Sequence, residues 1–220
     1  MTEIADTEQR VRPSSAAWLR IMALVYDPFL WLGELAGLRR RRRRLLADAR
    51  GRVVEIGAGT GLNIAHYPDG IADLVLAEPE QAMRRRLARR LSRHARVARI
   101  VDAPAEHLPL ADGSVDTVVS TLVLCTVDEP ERALGEIARV LRPDGQLLFI
   151  EHVRAGSRFL AACQNTLLHP WRRFAGGCVC NRPTMELMVA CGFTIAADDA
   201  VWRGMPPIVH PLAVGRATPC

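Results

Sequence analysis

Five short runs in this chain are apolar along nearly their whole length: "RVVEIG", "ADLVLAE", "RVARIV", "SVDTVVS" and "QLLFIEHV". A strand that is apolar on both faces must be covered on both, which is the situation of a parallel sheet sandwiched between helices. Helical segments stand between the runs, most clearly "EQAMRRRLARRLSRHA" and "EPERALGEIARVL". The expected class is therefore α/β, with helices on both faces of a parallel sheet. A length of 220 residues suits one such domain.

The first strand runs into "VVEIGAGTGLN", residues 53–63, where Gly57, Gly59 and Gly61 alternate. Open parallel sheets bind ligands at the carboxyl ends of their strands, and this turn lies there. The dinucleotide fingerprint is G-x-G-x-x-G, whereas this turn reads G-x-G-x-G with Glu55 two places before its first glycine. A carboxylate so placed repels a pyrophosphate and suits a ligand of positive charge. That argues against a nicotinamide oxidoreductase and for S-adenosylmethionine, which carries a sulfonium and an ammonium and no phosphate. The second strand ends at Glu78, whose carboxylate can accept both hydroxyls of a ribose.

From about Tyr26 to its end the chain resembles the class I S-adenosylmethionine-dependent methyltransferases. "EIGAGTG" is similar to their first motif and Glu78 to their acidic second-strand end. "AEHLPLADGSVDTVVS" is similar to the adenine loop and fourth strand, and "RVLRPDGQLLFIEHV" to the turn into the fifth. "TLVLCTV", "FIEHVRAG", "GGC" and "CGF" resemble the alkyl-thiol S-methyltransferase branch. The resemblance implies a Rossmann-like sheet with an antiparallel C-terminal strand. It implies an N-terminal tail and helical lid over residues 1–50 and the methyltransferase domain over residues 51–220. It also implies cofactor contacts from Glu55, Gly57, Ala58, Gly59, Gly61, Glu78, Pro79, Met83, Asp102, Ala105, Glu106 and Thr121. Departures from the family pattern are Pro104, where many relatives have an aspartate, and Asp144 in "RPDG" where "PGG" is usual. The contact to the adenine amino group would then move to Asp102 or Glu106, or be lost.

Methyl transfer is an in-line displacement at the sulfonium, so the protein mainly aligns the partners and excludes water. All 29 basic residues are arginine, which excludes lysine chemistry. His152 and His66 are the candidate bases, each equally readable as a structural histidine. Cys125 lies past the fourth strand, where its ordinary reading is a small buried hydrophobe. Tyr26, Gln164 and Trp171 are candidates for the lid and acceptor pocket, which "FLAACQNTLLHPW" makes apolar. So limited a base suits a small apolar acceptor that ionises easily, a thiol, which at a pKa of about 8.5 is already partly thiolate near neutrality. The alternatives are O- or C-methylation of a quinone, phenol or lipid, and a nonenzymatic membrane or RNA binder.

Six cysteines and an opening "MTEIADTEQR", without a charged and then apolar leader, point to free thiols in a reducing cytoplasm. "CVC" at 178–180, with His169 and Cys191, lacks the paired ligand sets of a structural zinc site, so no metal is expected. The formal net charge is +5, and arginines concentrate at Arg39–Arg44 and at Arg84, Arg85, Arg86, Arg89, Arg90 and Arg93. Such runs read first as solvated helix faces. No aromatics interleave with them, which makes nucleic acid an unlikely partner. "PFLWLGELAGL" just before the first run suggests weak peripheral contact with an anionic membrane. Animal members of the thiol branch open with a membrane-embedded segment. Here residues 17–38, interrupted by Arg20, Asp27, Pro28 and Glu34, fall short of a spanning helix. Residues 1–13 read as disordered, and residues 14–50 as helix broken at Asp27–Pro28.

Overall fold

The computed structural model describes residues 16–220, so the tail expected over residues 1–13 and the helix start at Ser14 lie outside the described residues. The strands are β1 (Arg52–Ile56), β2 (Asp73–Ala77), β3 (Arg99–Val101), β4 (Val115–Thr121), β5 (Leu141–His152), β6 (Phe193–Val201) and β7 (Pro211–Pro219). They form one seven-stranded sheet in the order β3-β2-β1-β4-β5-β7-β6. The first five are parallel, and β7 slots antiparallel between β5 and β6. The apolar runs thus become strands as expected, with the antiparallel segment at the C-terminal edge.

Alternation along each strand sends side chains to two cores. Val53, Val119, Leu148 and Ile150 join one, and Val54, Val118, Leu147 and Phe149 join the other. α4 (Pro130–Val140) covers the second face with Ala133, Leu134, Ile137 and Val140, spaced as one helical stripe. The first face is covered by α1 (Ala16–Gly33), α2 (Arg39–Leu46), α3 (Gln81–Leu91) and α5 (Arg158–Phe174), while α6 (Thr184–Ala190) sends Met188 to the second. The third strand begins at Arg99 rather than Arg96, its first pairing being with Val75, and the Arg96 guanidinium reaches the Tyr67 and Pro68 carbonyls at 2.6 and 3.0 Å. Asp144 is exposed in the turn within β5, so its departure from "PGG" is accommodated in solvent.

The N-terminal helix corrects the sequence reading. It does not break at Asp27–Pro28; Pro28 lies inside α1. The kink falls in the wider turn Glu34–Leu38, at Gly37, whose φ of 131° is open to glycine and strained for other residues. Pro28 removes one helical hydrogen bond, and tertiary anchoring carries the helix across it. Asp27 accepts from Thr60 Oγ1 at 2.5 Å and from Arg90 Nη2 at 2.6 Å. Contrary to expectation, the helical path Arg20–Leu46 is long and apolar enough, by length and composition, to cross a membrane. Aromatic contacts bind α1 to α5: Phe29 meets Trp171 and Phe174 at ring-centroid distances of 6.5 and 5.5 Å, and Trp18 meets Phe174 at 6.3 Å.

Candidate active site

The glycine turn leaves the end of β1 and is held by the next strand. Ala58 N–H donates to the Ala77 carbonyl at 2.9 Å, and Gly59 N–H to Glu78 Oε2 at 2.8 Å. Glu78 Oε1 accepts from Glu80 N–H at 2.8 Å, so each carboxylate oxygen keeps a lone pair for another donor. Burial pushes the Glu78 carboxyl up, and the two backbone bonds oppose the shift. The glycines do different work. At Gly61, φ +83°, a methyl group would lie 2.6 and 2.7 Å from Ile64 and Leu87, so this position is fixed by packing. At Gly59, φ +56°, it would meet nothing closer than 3.9 Å, so the chain leaves this face of the turn open.

Beneath the turn lies a buried polar network. Glu55 accepts from Tyr67 Oη at 2.6 Å and from Asn63 Nδ2 at 2.9 Å. Burial raises its carboxyl from 4.5 to about 7, against the pull of both hydrogen bonds and of Arg42. Arg42, 3% exposed, donates through Nη1 to Asn63 Oδ1 and Thr121 Oγ1, both at 3.0 Å, and through Nε to Glu34 at 3.0 Å. The arginine run therefore holds one interior residue. Leu38, Arg42, Leu45 and Leu46 share a helical stripe, a signal legible in the spacing once the run is read position by position. Tyr26, Arg42, Glu55, Gly57, Ala58, Gly59, Thr60, Leu62 and Thr121 line one cavity of about 20 Å³. Burial pushes the Tyr26 hydroxyl well above its ordinary range, so it stays a neutral donor.

At the end of β3, Asp102 is exposed and pairs with Arg84 at 2.8 and 2.5 Å. Arg84 also donates to the Glu78 and Pro79 carbonyls, fixing the segment that ends in Met83. Ala105 is buried, and Met83 and Glu106 are half-buried. Arg86 and Arg90 both turn to Asp27, so much of the second arginine cluster is engaged within the protein.

The loop after β4 is organised by Glu151, a residue without a signal of its own in "FIEHV". It is wholly buried in β5. Its Oε1 accepts from Ser120 Oγ at 2.6 Å, Val123 N–H at 3.0 Å and Leu124 N–H at 3.1 Å, and its Oε2 from Cys125 N–H at 3.2 Å. Burial raises its carboxyl. The loop it holds contains Leu122 at φ +62°, a strained geometry for a bulky residue. Cys125 Sγ then lies 3.4 Å from His152 Nδ1, with Cys178 Sγ 3.7 Å from the same nitrogen. The contact between the two thiols pushes Cys125 up and Cys178 down, burial adding to the first shift and His152 to the second. His152 Nε2 is buried and has no hydrogen-bond partner among the described residues; it lies beside Trp202 at a ring-centroid distance of 5.5 Å.

Gln164 is wholly buried and engaged within the protein. Its oxygen accepts from Ala155 N–H, and its amide nitrogen donates to the Val153, Cys180 and Ile208 carbonyls, so it clasps three loops together. His66, in the short turn Ile64–His66, shares a cavity of about 680 Å³ with Glu34, Arg39, Arg40 and Arg43, not with Cys125. Partial burial and then the arginines Arg39, Arg42 and Arg43 lower its pKa.

A family model described as "Methyltransferase domain" matches residues 54–149, from β1 through β5. The chain is 36% identical over 182 residues to the thiol S-methyltransferase TMT1B of Homo sapiens, covering 78% of this chain and 73% of that protein. This chain belongs to the class I S-adenosylmethionine-dependent methyltransferases, near the thiol S-methyltransferase branch. The methyltransferase also shares 37% identity with human TMT1A, of which it spans 59%, and 31% with phosphatidylethanolamine N-methyltransferase of Cereibacter sphaeroides, of which it spans 70%. Its fold matches the 1,6-didemethyltoxoflavin-N1-methyltransferase of Burkholderia thailandensis at a TM-score of 0.65 and 20% identity, over all of this chain and 92% of that one. That structure holds S-adenosylhomocysteine.

Proposed function

We propose that this methyltransferase methylates a small, apolar thiol. The observation that carries the reading is the environment of His152. An alcohol or phenol needs a base held by a third polar group, yet among the described residues no carboxylate hydrogen-bonds this ring. The neighbouring Glu151 is instead committed to Ser120 and the backbone of residues 123–125. A thiol supplies its own anion, so alignment suffices. The similarity to human thiol S-methyltransferases supports the same choice.

The residues at the turn suit S-adenosylmethionine, which supplies a methyl group on an electrophilic sulfonium. Glu78 would take the ribose hydroxyls with its free lone pairs. The open face at Gly59, with Gly57, Ala58, Gly61 and Thr121, would receive the methionine moiety, and Glu55 would face its positive charge. Pro79, Met83, Asp102, Ala105 and Glu106 would border the adenine. Tyr26, Cys125 and Trp171 would close on the acceptor and keep water out. Transfer of labelled methyl to a panel of thiols, phenols, quinones and lipids tests the reading. Alkyl thiols should be the best acceptors, and turnover confined to hydroxyl or carbon acceptors would overturn it.

A second feature concerns where the enzyme works. In α1 and just beyond, Ile21, Leu24, Val25, Trp31, Leu32 and Leu35 are all exposed and recur at helical spacing, while Met22, Ala23 and Leu30 pack inward. An outward apolar stripe followed by exposed Arg39, Arg40, Arg43 and Arg44 suits the surface of an anionic membrane. We assign the protein to the cytoplasmic side of such a membrane, in peripheral contact.

A further inference from the structure

Cys125, His152 and Cys178 form a triangle of donor atoms: 3.4 Å from His152 Nδ1 to Cys125 Sγ, 3.7 Å to Cys178 Sγ, and 3.9 Å between the sulfurs. With Zn–S near 2.3 Å and Zn–N near 2.0–2.1 Å, a tetrahedral ion sets two sulfur ligands roughly 3.8 Å apart and sulfur and nitrogen roughly 3.6 Å apart. All three observed edges agree with those values to about 0.2 Å. The donors are buried and come from separate parts of the chain: the loop after β4, the end of β5 and the loop after α5. The two loops are joined directly, Val179 N–H donating to the Cys125 carbonyl at 2.8 Å.

We propose that Cys125, Cys178 and His152 bind a soft divalent ion of the zinc class, and that its fourth position takes the sulfur of the acceptor. Thiolate and imidazole select such an ion, and three protein ligands rather than four are the pattern of a site that keeps a position for substrate. This deepens the thiol reading and rests on it. On coordination the acceptor R–SH releases its proton to solvent. A sulfur lone pair then forms the new S–CH₃ bond, while the cofactor's S–CH₃ bond breaks with its electron pair left on the thioether sulfur. His152 Nδ1 faces the ion, and Nε2 keeps its hydrogen beside the Trp202 ring. The sequence concealed this set because its members are scattered: "CVC" groups Cys178 with Cys180, whereas its partners Cys125 and His152 lie 53 and 26 residues away.

The reduced, full-length protein should bind Zn²⁺ saturably at one ion per chain in competition with a chromophoric chelator. Co²⁺ in its place should give thiolate charge-transfer absorption that changes when an alkyl thiol is added. Cys125→Ser and Cys178→Ser should each weaken binding by more than the roughly 10–100-fold cost of a disturbed outer partner. Should these variants fail to fold by circular dichroism, alkylation of the wild type decides. Zn²⁺ should then protect Cys125 and Cys178 and leave exposed Cys220 reactive. Absence of saturable binding, or binding undiminished in folded variants, overturns the site. A cobalt spectrum indifferent to thiols overturns the fourth-position assignment. Metal binding without methylation of any thiol refutes the acceptor reading and leaves the ion site standing.

Discussion

Tyr67 donates its phenolic hydrogen to Glu55 at 2.6 Å, directly beneath the glycine turn. With Asn63 it holds a buried carboxyl whose pKa burial has raised to about 7, so near neutrality the group is about half ionised. A cation arriving beside it favours the ionised form. Binding of S-adenosylmethionine near pH 7 should therefore release a fraction of a proton. Calorimetry in buffers of different ionisation enthalpy should show that release in the wild type and not in Glu55→Gln.

The same carboxyl ties stability to pH. Its folded value lies above the ordinary 4.5, so its contribution is fully present below 4.5 and is lost as pH rises through about 7. The stability difference between pH 5 and pH 8 should shrink by about 2 kcal/mol in Glu55→Gln, from the size of the shift. Urea unfolding at the two pH values measures it, and an unchanged difference would place the proton elsewhere.

Gly59 and Gly61 should part company on substitution. Gly59→Val adds bulk on the open face, so it should fold with a loss of about 1–2 kcal/mol from its left-handed backbone and should no longer bind S-adenosylmethionine. Gly61→Val meets Ile64 and Leu87 as well, and should lose about 2–4 kcal/mol. Thermal unfolding and cofactor titration on both variants separate the two roles.

The arginine run should divide in the same manner. Replacing Arg39, Arg40, Arg43 and Arg44 with glutamine should leave stability nearly unchanged and release the protein from anionic vesicles in a sedimentation assay. Arg42→Gln strands Glu34 and opens the network to Asn63 and Thr121, so it should cost about 3–5 kcal/mol and leave vesicle binding intact. Wild-type protein that never sediments with such vesicles would refute the membrane contact.

The sheet was legible because burial on both faces writes itself as an uninterrupted apolar run, as in β4 and the latter part of β5. The acidic strand ends were legible because charge is rare in such runs, and Glu55 and Glu78 do both lie at the turn. Arg42 was hidden by its neighbours, since six identical charges in a row mask the one that falls on the apolar stripe. The kink falls at Gly37 and not at Pro28 because Asp27's anchors on Thr60 and Arg90, which the local sequence does not show, outweigh the steric bias before a proline. Cys178 meets Cys125 only through loop closure across 53 residues, which no local pattern records.

Asp27's grip on Thr60 and Arg90 has a kinetic consequence. The space beneath α1 and the glycine turn is about 20 Å³, whereas a pocket for a drug-sized molecule runs to roughly 300–1,000 Å³. A nucleoside that entered beneath α1 would have to part Asp27 from Thr60 and Arg90 first, and exchange by that route could be no faster than the parting. The outward stripe belongs to the same helix. Trp31 follows Asp27 by one helical turn, so a membrane that took up Trp31, as proposed, would act beside that carboxylate and bear on how fast the enzyme reloads.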